Sequence, residues 1–211
     1  MKKNNTNLPI YKWMSDLFPI CRSLTGNGVD KTLYYLKNTI GISLRIIKFK
    51  TGTKVFDWRI PKIWNVSQAY IQKLNGSKIV DFKNNNLHLV GYSSKINKTV
   101  GKKELFQHLF TQVNQPDLIP YVTSYYKKNW GFCLKDNQRK KLKKGIYKVC
   151  IKSYFTKGYL NYGEILWKGK KKKEIFFSTY ICHPSMANNE VSGPVLATAI
   201  GKYINNIKNN N

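Results

Sequence analysis

The sequence predicts an α/β fold, and three stretches carry that prediction. Ile175 to Cys182 has the β-branched and aromatic content of a buried strand. Pro184 forbids its simple continuation, so His183 is expected at the carboxyl end of a strand, ahead of a small-residue turn and a helix-like segment. Ser43 to Lys50 alternates through Leu44, Ile46, Ile47 and Phe49, with Gly52 marking its exit. Leu8 to Phe18 instead spaces Ile10, Trp13, Met14 and Leu17 along one helical face, which Pro19 ends. Ligands of open α/β sheets bind at the carboxyl ends of strands, which makes His183 the first residue to consider for chemistry.

The elements follow in order. Ser23-Leu-Thr-Gly-Asn-Gly-Val-Asp-Lys31 reads as a glycine-containing turn and cap entering a helix from Asp30 to Lys37. Its first-turn amides suit an anion, yet the Walker and dinucleotide spacings are absent, so the cap is the preferred reading. Ala69 to Leu74 and Lys78 to Phe82 flank Asn75-Gly-Ser77, a strong hairpin signal. Leu87 to Tyr92 reads as a further strand, with His88 facing solvent between two leucines. Lys103 to Phe110 places Leu105, Phe106, Leu109 and Phe110 on one helical face and points His108 elsewhere. Gly145 to Phe155 and Tyr159 to Trp167 are expected to form a second hairpin about Lys157-Gly158, with Glu174 to Cys182 as a third strand. Glu164 on the middle strand is expected to pair with a lysine.

A resemblance rests on motifs spread along the chain. His183-Pro-Ser-Met-Ala-Asn-Asn-Glu-Val-Ser-Gly-Pro194 resembles the metal-site segment of bacterial aminopeptidase-like proteins related to the co-catalytic zinc aminopeptidases, many of them encoded beside polysaccharide-biosynthesis genes. Leu17-Phe-Pro-Ile-Cys-Arg-Ser-Leu-Thr-Gly-Asn-Gly28, Gly52-Thr-Lys-Val-Phe-Asp-Trp58, Ile119-Pro-Tyr-Val-Thr-Ser-Tyr-Tyr126 and Trp130-Gly-Phe-Cys-Leu134 are similar to the same family in the same order. The resemblance implies an incomplete phosphorylase/hydrolase-like zinc-peptidase sheet with helices, interrupted by a small β-rich inserted domain. The corresponding boundaries are 1–55 for the first part of the peptidase-like domain, 56–120 for the insertion and 121–211 for the continuation. The chain is expected to stop short of the family's second half, where further ligands and the general base lie.

What the resemblance implies about chemistry is an aminopeptidase-like metallohydrolase acting on peptides or small amides, with zinc near His183, Asn189 and Glu190. A catalytic zinc takes three protein ligands and keeps an open position. The zinc aminopeptidases usually carry a bridging aspartate where this chain has Asn189, a neutral amide, and Glu190 next to it offers a substitute. Cys182 precedes His183, and neighbours on an extended strand point to opposite faces, so Cys182 reads as core packing. Among the aromatics, Trp58 reads as core, while Tyr125 and Tyr126 are candidates for a substrate cleft because flat rings stack on sugars and peptides.

Composition bounds the alternatives. With 211 residues, 42% of them hydrophobic, the chain can bury a real core. Its four cysteines, Cys21, Cys133, Cys150 and Cys182, contain no Cys-x-x-Cys pair, and reduced thiols in a cytoplasm are expected. Met1 to Asn7 is basic like the start of a signal peptide, but Pro9, Lys12 and Asp16 break any apolar run after it, and no segment reaches the roughly 20 apolar residues of a membrane span. The net charge of +27 favours weak, salt-sensitive polyanion binding. Arg139 to Lys144 and Lys168 to Lys173 are its two densest runs, read as solvated surface. Two other readings accompany the hydrolase: a non-catalytic binding module, and a basic nucleic-acid binder. A truncated sheet also leaves a strand edge to cover, so a second chain supplying the missing half is an expected partner.

Overall fold

The computed structural model describes residues 8–209, so the basic start of the chain lies outside the described residues. The architecture is mixed α/β. Two compact units form, one from residues up to Ile60 together with those from Tyr159 onward, the other from Pro61–Gly158 between them in sequence.

The first unit opens with α1 (Ile10–Leu17), whose helical spacing buries Trp13 and Leu17. Next comes α2 (Asn27–Tyr34), entered through Gly26 at φ 106° and prolonged by a π-helical turn over Tyr35–Thr39. The positive φ explains why glycine stands at that entry. Strand β1 (Arg45–Lys50) and a short ribbon of β2 (Lys54–Val55) with β3 (Trp58–Arg59) complete its first part.

The second unit contains β4 (Ile63–Lys73), β5 (Lys78–Asp81), β6 (Ile96–Gly101), α3 (Lys102–Gln107), β7 (Leu109–Phe110), β8 (Phe132–Cys133), α4 (Asp136–Lys140) and β9 (Ile146–Thr156). Its antiparallel sheet has the order β5-β4-β9-β6, with Ala69, Ile71, Val149 and Ile151 buried along the two central strands. The Asn75-Gly-Ser turn is present, Lys73 N–H donating to Ser77 O at 2.9 Å and Gly76 at φ 87°.

The chain re-enters the first unit as β10 (Tyr159–Glu164), which pairs antiparallel with β1 from Arg45↔Glu164 to Lys50↔Tyr159. It closes with a π turn over Ala187–Val191 leading into α5 (Ser192–Asn209). One core joins α1, the π turn after α2 and α5 through Trp13, Leu17, Leu36, Ile40, Ile42, Val191, Val195 and Ala199. Each buried leucine, isoleucine or valine among them contributes about 1.5–3 kcal/mol, so this core anchors the segments that carry the site.

Several expectations are corrected. The 145–167 hairpin does not form. Strand β9 pairs with β4 over ten positions and with β6 on its other side, whereas the six-residue β10 matches β1. The compact second unit runs over Pro61–Gly158, its sheet being incomplete without β9. Glu164 meets Arg45 at 3.8 Å instead of a lysine. Residues 86–88 form a 3-10 turn, not a strand. The α3 helix stops at Gln107, since Leu109 and Phe110 pair with Phe132 and Cys133. Residues 174–182 have the composition of a strand but adopt none. Among the described residues no strand offers them backbone partners, and Ile175 and Phe176 are 85% and 87% exposed.

Candidate functional site

Local sequence explains how His183 and Glu190 meet. Pro184 and Ser185 are buried, and Ser185 Oγ donates to Phe18 O at 2.7 Å, tying the turn to the end of α1. The π turn then brings Glu190 back under His183. Glycine permits two close approaches here. A Cβ on Gly193 would lie 2.1 Å from Thr179 Oγ1, and one on Gly28 would lie 1.8 Å from Cys21 O. The first turn of α2 is thereby pressed against the backbone of Cys21 and Arg22.

The site itself is a small cluster of ionisable groups. His183 Nδ1 lies 2.9 Å from Glu190 Oε2, and Cys182 Sγ lies 3.3 Å from the same nitrogen. These three donors all fall within 4.8 Å of one another. Arg22 organises them from below. Its Nε donates to His183 O at 3.1 Å, its Nη1 donates to Leu17 O at 2.7 Å, and Nε faces Glu190 Oε1 at 3.5 Å. The Arg22 and Glu190 side chains are 1% and 0% exposed, whereas His183 is 23% exposed, so the cluster is reached from solvent through the imidazole side. Tyr180 sets its ring edge-on to His183 at 5.3 Å.

Burial dominates the electrostatics. It raises the Glu190 carboxyl above its usual range despite the opposing pull of His183 and Arg22. It lowers the Arg22 guanidinium, opposed by the Glu190 charge. The Cys182 thiol is pushed up to about 11 by burial and then by the nearby Glu190 charge. Glu190 Oε1 and Arg22 Nη2 are both buried without a hydrogen bond. Buried polar atoms without partners are uncommon and costly. A thiol, an imidazole and a carboxylate converging on one point are the donor types that zinc takes, so these residues fit such an ion.

The sequence-predicted residues separate here. His183 and Glu190 come together, while Asn189 is exposed on the π turn and stands outside the cluster. Cys182 is corrected: residues 174–182 form no paired strand, strict alternation does not apply, and the thiol turns toward His183. Arg22 was also missed. Its signal was an arginine inside the Cys21-to-Gly28 motif of a chain whose positive charge is nearly all lysine, since arginine serves where a fork of donors is needed.

Tyr125 and Tyr126 lie in the other compact unit. Tyr125 packs edge-on against Tyr92, itself stacked on Trp64, and Tyr126, edge-on to Tyr125, is 86% exposed. His88 is corrected from solvated to half-buried, bonded through Nδ1 to Cys133 O at 2.8 Å and lowered in pKa by burial. His108 stacks on Trp130 with centroids 3.6 Å apart. Trp58 is half-buried on β3. Of the two basic runs, Lys168 to Lys173 is exposed throughout, while Lys140 in the other pairs with Asp136 at 2.7 Å and Arg139 lies over Phe106. Among the described residues, no helix is long and apolar enough to cross a membrane.

Comparison with known proteins agrees with the motifs. A protein of Clostridium acetobutylicum called a "putative polysaccharide biosynthesis protein with aminopeptidase-like domain" is 46% identical over 205 residues, which is 97% of this chain and 47% of that protein. The crystal structure of a "putative peptidase" from Clostridium acetobutylicum superposes with a TM-score of 0.89 at 47% identity, covering 93% of this chain and 46% of that one. The chain thus spans about half the length of the relatives it matches. The family described as "Domain of unknown function (DUF4910)" matches residues 11–211, and with that match across nearly its whole length this chain belongs to that family.

Proposed function

We propose that this chain is the metal-site half of an aminopeptidase-like hydrolase on a zinc-peptidase sheet, with Pro61–Gly158 as its inserted domain, acting on peptides or small amides. The observation that carries the reading is the buried Glu190 carboxylate held by Arg22 and aimed at His183, inside a segment that resembles the metal-site motif of aminopeptidase-like proteins. Zinc bound there would supply a Lewis acid for a scissile carbonyl. The residues present divide the remaining tasks. Arg22 fixes Glu190 Oε1, so that Oε2 stays directed at His183. Before an ion enters, Glu190 Oε2 accepts the Nδ1 proton of His183 and so holds the imidazole in place. Asn189, exposed beside them, is a neutral contact available to a substrate or to a further polypeptide segment.

Completion by a further segment belongs to the same reading. Ile175, Phe176 and Phe177 are 85%, 87% and 58% exposed, in a strand-like run that leads to His183. A run of that kind is a template for strand addition. The remaining length of the relatives, in the same chain or as a second polypeptide, would cover it and bring further ligands. Tyr125 and Tyr126 are the candidate substrate contacts of the inserted unit.

The test is zinc content by elemental analysis of the native chain and of His183→Ala, followed by hydrolysis of aminoacyl amides with and without the complementary half of the Clostridium relative. Near-stoichiometric zinc lost in the variant, with turnover only when both halves are present, is the expected result. Zinc-free protein in both cases would overturn the hydrolase reading and leave the binding-module alternative.

A further inference from the structure

We infer that Cys182 is itself a metal ligand, so that Cys182, His183 and Glu190 form a three-donor, single-ion site for a thiolate-accepting divalent cation such as zinc. This rests on the metal reading of His183 and Glu190 and goes beyond it by naming the thiolate. Donor atoms bound to one tetrahedral zinc lie about 3.3–3.6 Å apart, from bond lengths of about 2.0–2.3 Å. The 3.3 Å between Cys182 Sγ and His183 Nδ1 comes within about 0.3 Å of the sulfur–nitrogen spacing, and all three donors lie within 4.8 Å of one another. The 2.9 Å between Nδ1 and Glu190 Oε2 is a hydrogen bond that must open by about half an ångström once the ion replaces the shared proton. Binding is balanced: the thiol proton leaves to solvent, the imidazole proton passes through solvent from Nδ1 to Nε2 so that Nδ1 offers its lone pair, and the two anionic ligands, Cys182 and Glu190, then offset the ion's double charge.

Two alternatives for Cys182 fit less well. A nucleophile–base pair needs the histidine to take the thiol proton at one ring nitrogen while the other is held by an orienting carboxylate. Here the thiol and Glu190 meet the same nitrogen, Nδ1. Core packing would leave the sulfur among apolar groups, yet it faces an imidazole. Charge argues the same way. Residue 189 is a neutral amide exposed to solvent, so the second negative charge at the site comes from residue 182.

Cobalt tests this, because a thiolate bound to Co(II) gives an intense near-ultraviolet charge-transfer band that nitrogen and oxygen ligands lack. Metal-free native chain, Cys182→Ser, Cys182→Ala and His183→Ala are each titrated with CoCl2, and circular dichroism and the thermal midpoint check that each variant is folded. One equivalent with the band in the native chain, loss of the band with at least tenfold weaker zinc binding in both Cys182 variants, and no uptake in His183→Ala are the expected results. Cobalt bound without the band, or with a band that survives in Cys182→Ser, overturns the Cys182 assignment while the metal reading stands. Native chain that takes up neither cobalt nor zinc overturns both.

Discussion

Replacing Arg22 by methionine is the sharpest perturbation of this site. The substitution keeps most of the apolar stem but removes three interactions together: the 3.5 Å ion pair with Glu190 and the donations to Leu17 O and His183 O. Breaking a buried pair by deleting one partner costs about 3–5 kcal/mol, because the remaining charge is left uncompensated. A domain's whole stability is about 5–15 kcal/mol, so the variant should sit close to its unfolding threshold. The loss should also depend on pH. Burial already lifts Glu190 above its ordinary 4.5, and without the guanidinium it rises further. A raised acid makes the folded state hold a proton that the unfolded chain releases, so stability falls as pH climbs through the window above 4.5. The fall reaches about 1.4 kcal/mol per pH unit wherever the variant keeps the proton and the native chain does not. Urea unfolding in a metal chelator at pH 5 and pH 8 measures this directly. The deficit should be larger at pH 8, and Arg22→Met with Glu190→Gln should recover part of it and flatten the pH dependence. A deficit below about 1 kcal/mol, or one equal at both pH values, would refute the role given to Arg22.

The other predictions are simpler. Gly28→Ala should lose about 2 kcal/mol in urea unfolding, since a Cβ 1.8 Å from Cys21 O forces the backbone apart by more than the helix-propensity gain of about 1 kcal/mol restores, whereas Gly145→Ala, with open space around it, should stay within about 0.5 kcal/mol. Equal or greater stability in Gly28→Ala would show that α2 does not press on the Arg22 backbone. Asp136 is lowered by Lys140 and Thr111, so its contribution is present above its ordinary 3.8 and lost as pH falls through the lower folded value; Asp136→Asn should therefore be less stable at pH 7 and differ little at pH 2, by thermal melts. Single-stranded DNA should bind weakly with a steep salt dependence, and changing Lys170 to Lys173 to glutamine should reduce the log–log slope by roughly 2–3; an unchanged slope would place the contacts elsewhere.

Much of the fold was legible because periodicity and punctuation are local. The apolar stripe of α1, the strand at β1 and the Asn75-Gly turn all appear where their residues put them. Pairing partners were not legible. Tyr159 to Glu164 has no intrinsic preference for β1 over β9; strand length and the closure of each sheet decide it. The strand-like composition of 174–182 misled for the same reason, because a strand exists only where another offers its backbone. That error carried into the site. Alternation along an assumed strand turned Cys182 away from His183, and the buried Arg22–Glu190 pair, 168 residues apart, depends on tertiary packing that no window of sequence contains. His183 and Glu190 were accessible because both lie in the one short segment that resembles the metal-site motif of aminopeptidase-like proteins.

Anomalous diffraction at the zinc edge from crystals of the native chain soaked in zinc tests the central claim most directly. The account predicts one peak within bonding distance of His183 Nδ1, Glu190 Oε2 and Cys182 Sγ, with Arg22 still against Glu190 Oε1. A peak held by His88, His108 or surface groups alone, or no peak with an intact His183–Glu190 hydrogen bond, would contradict it.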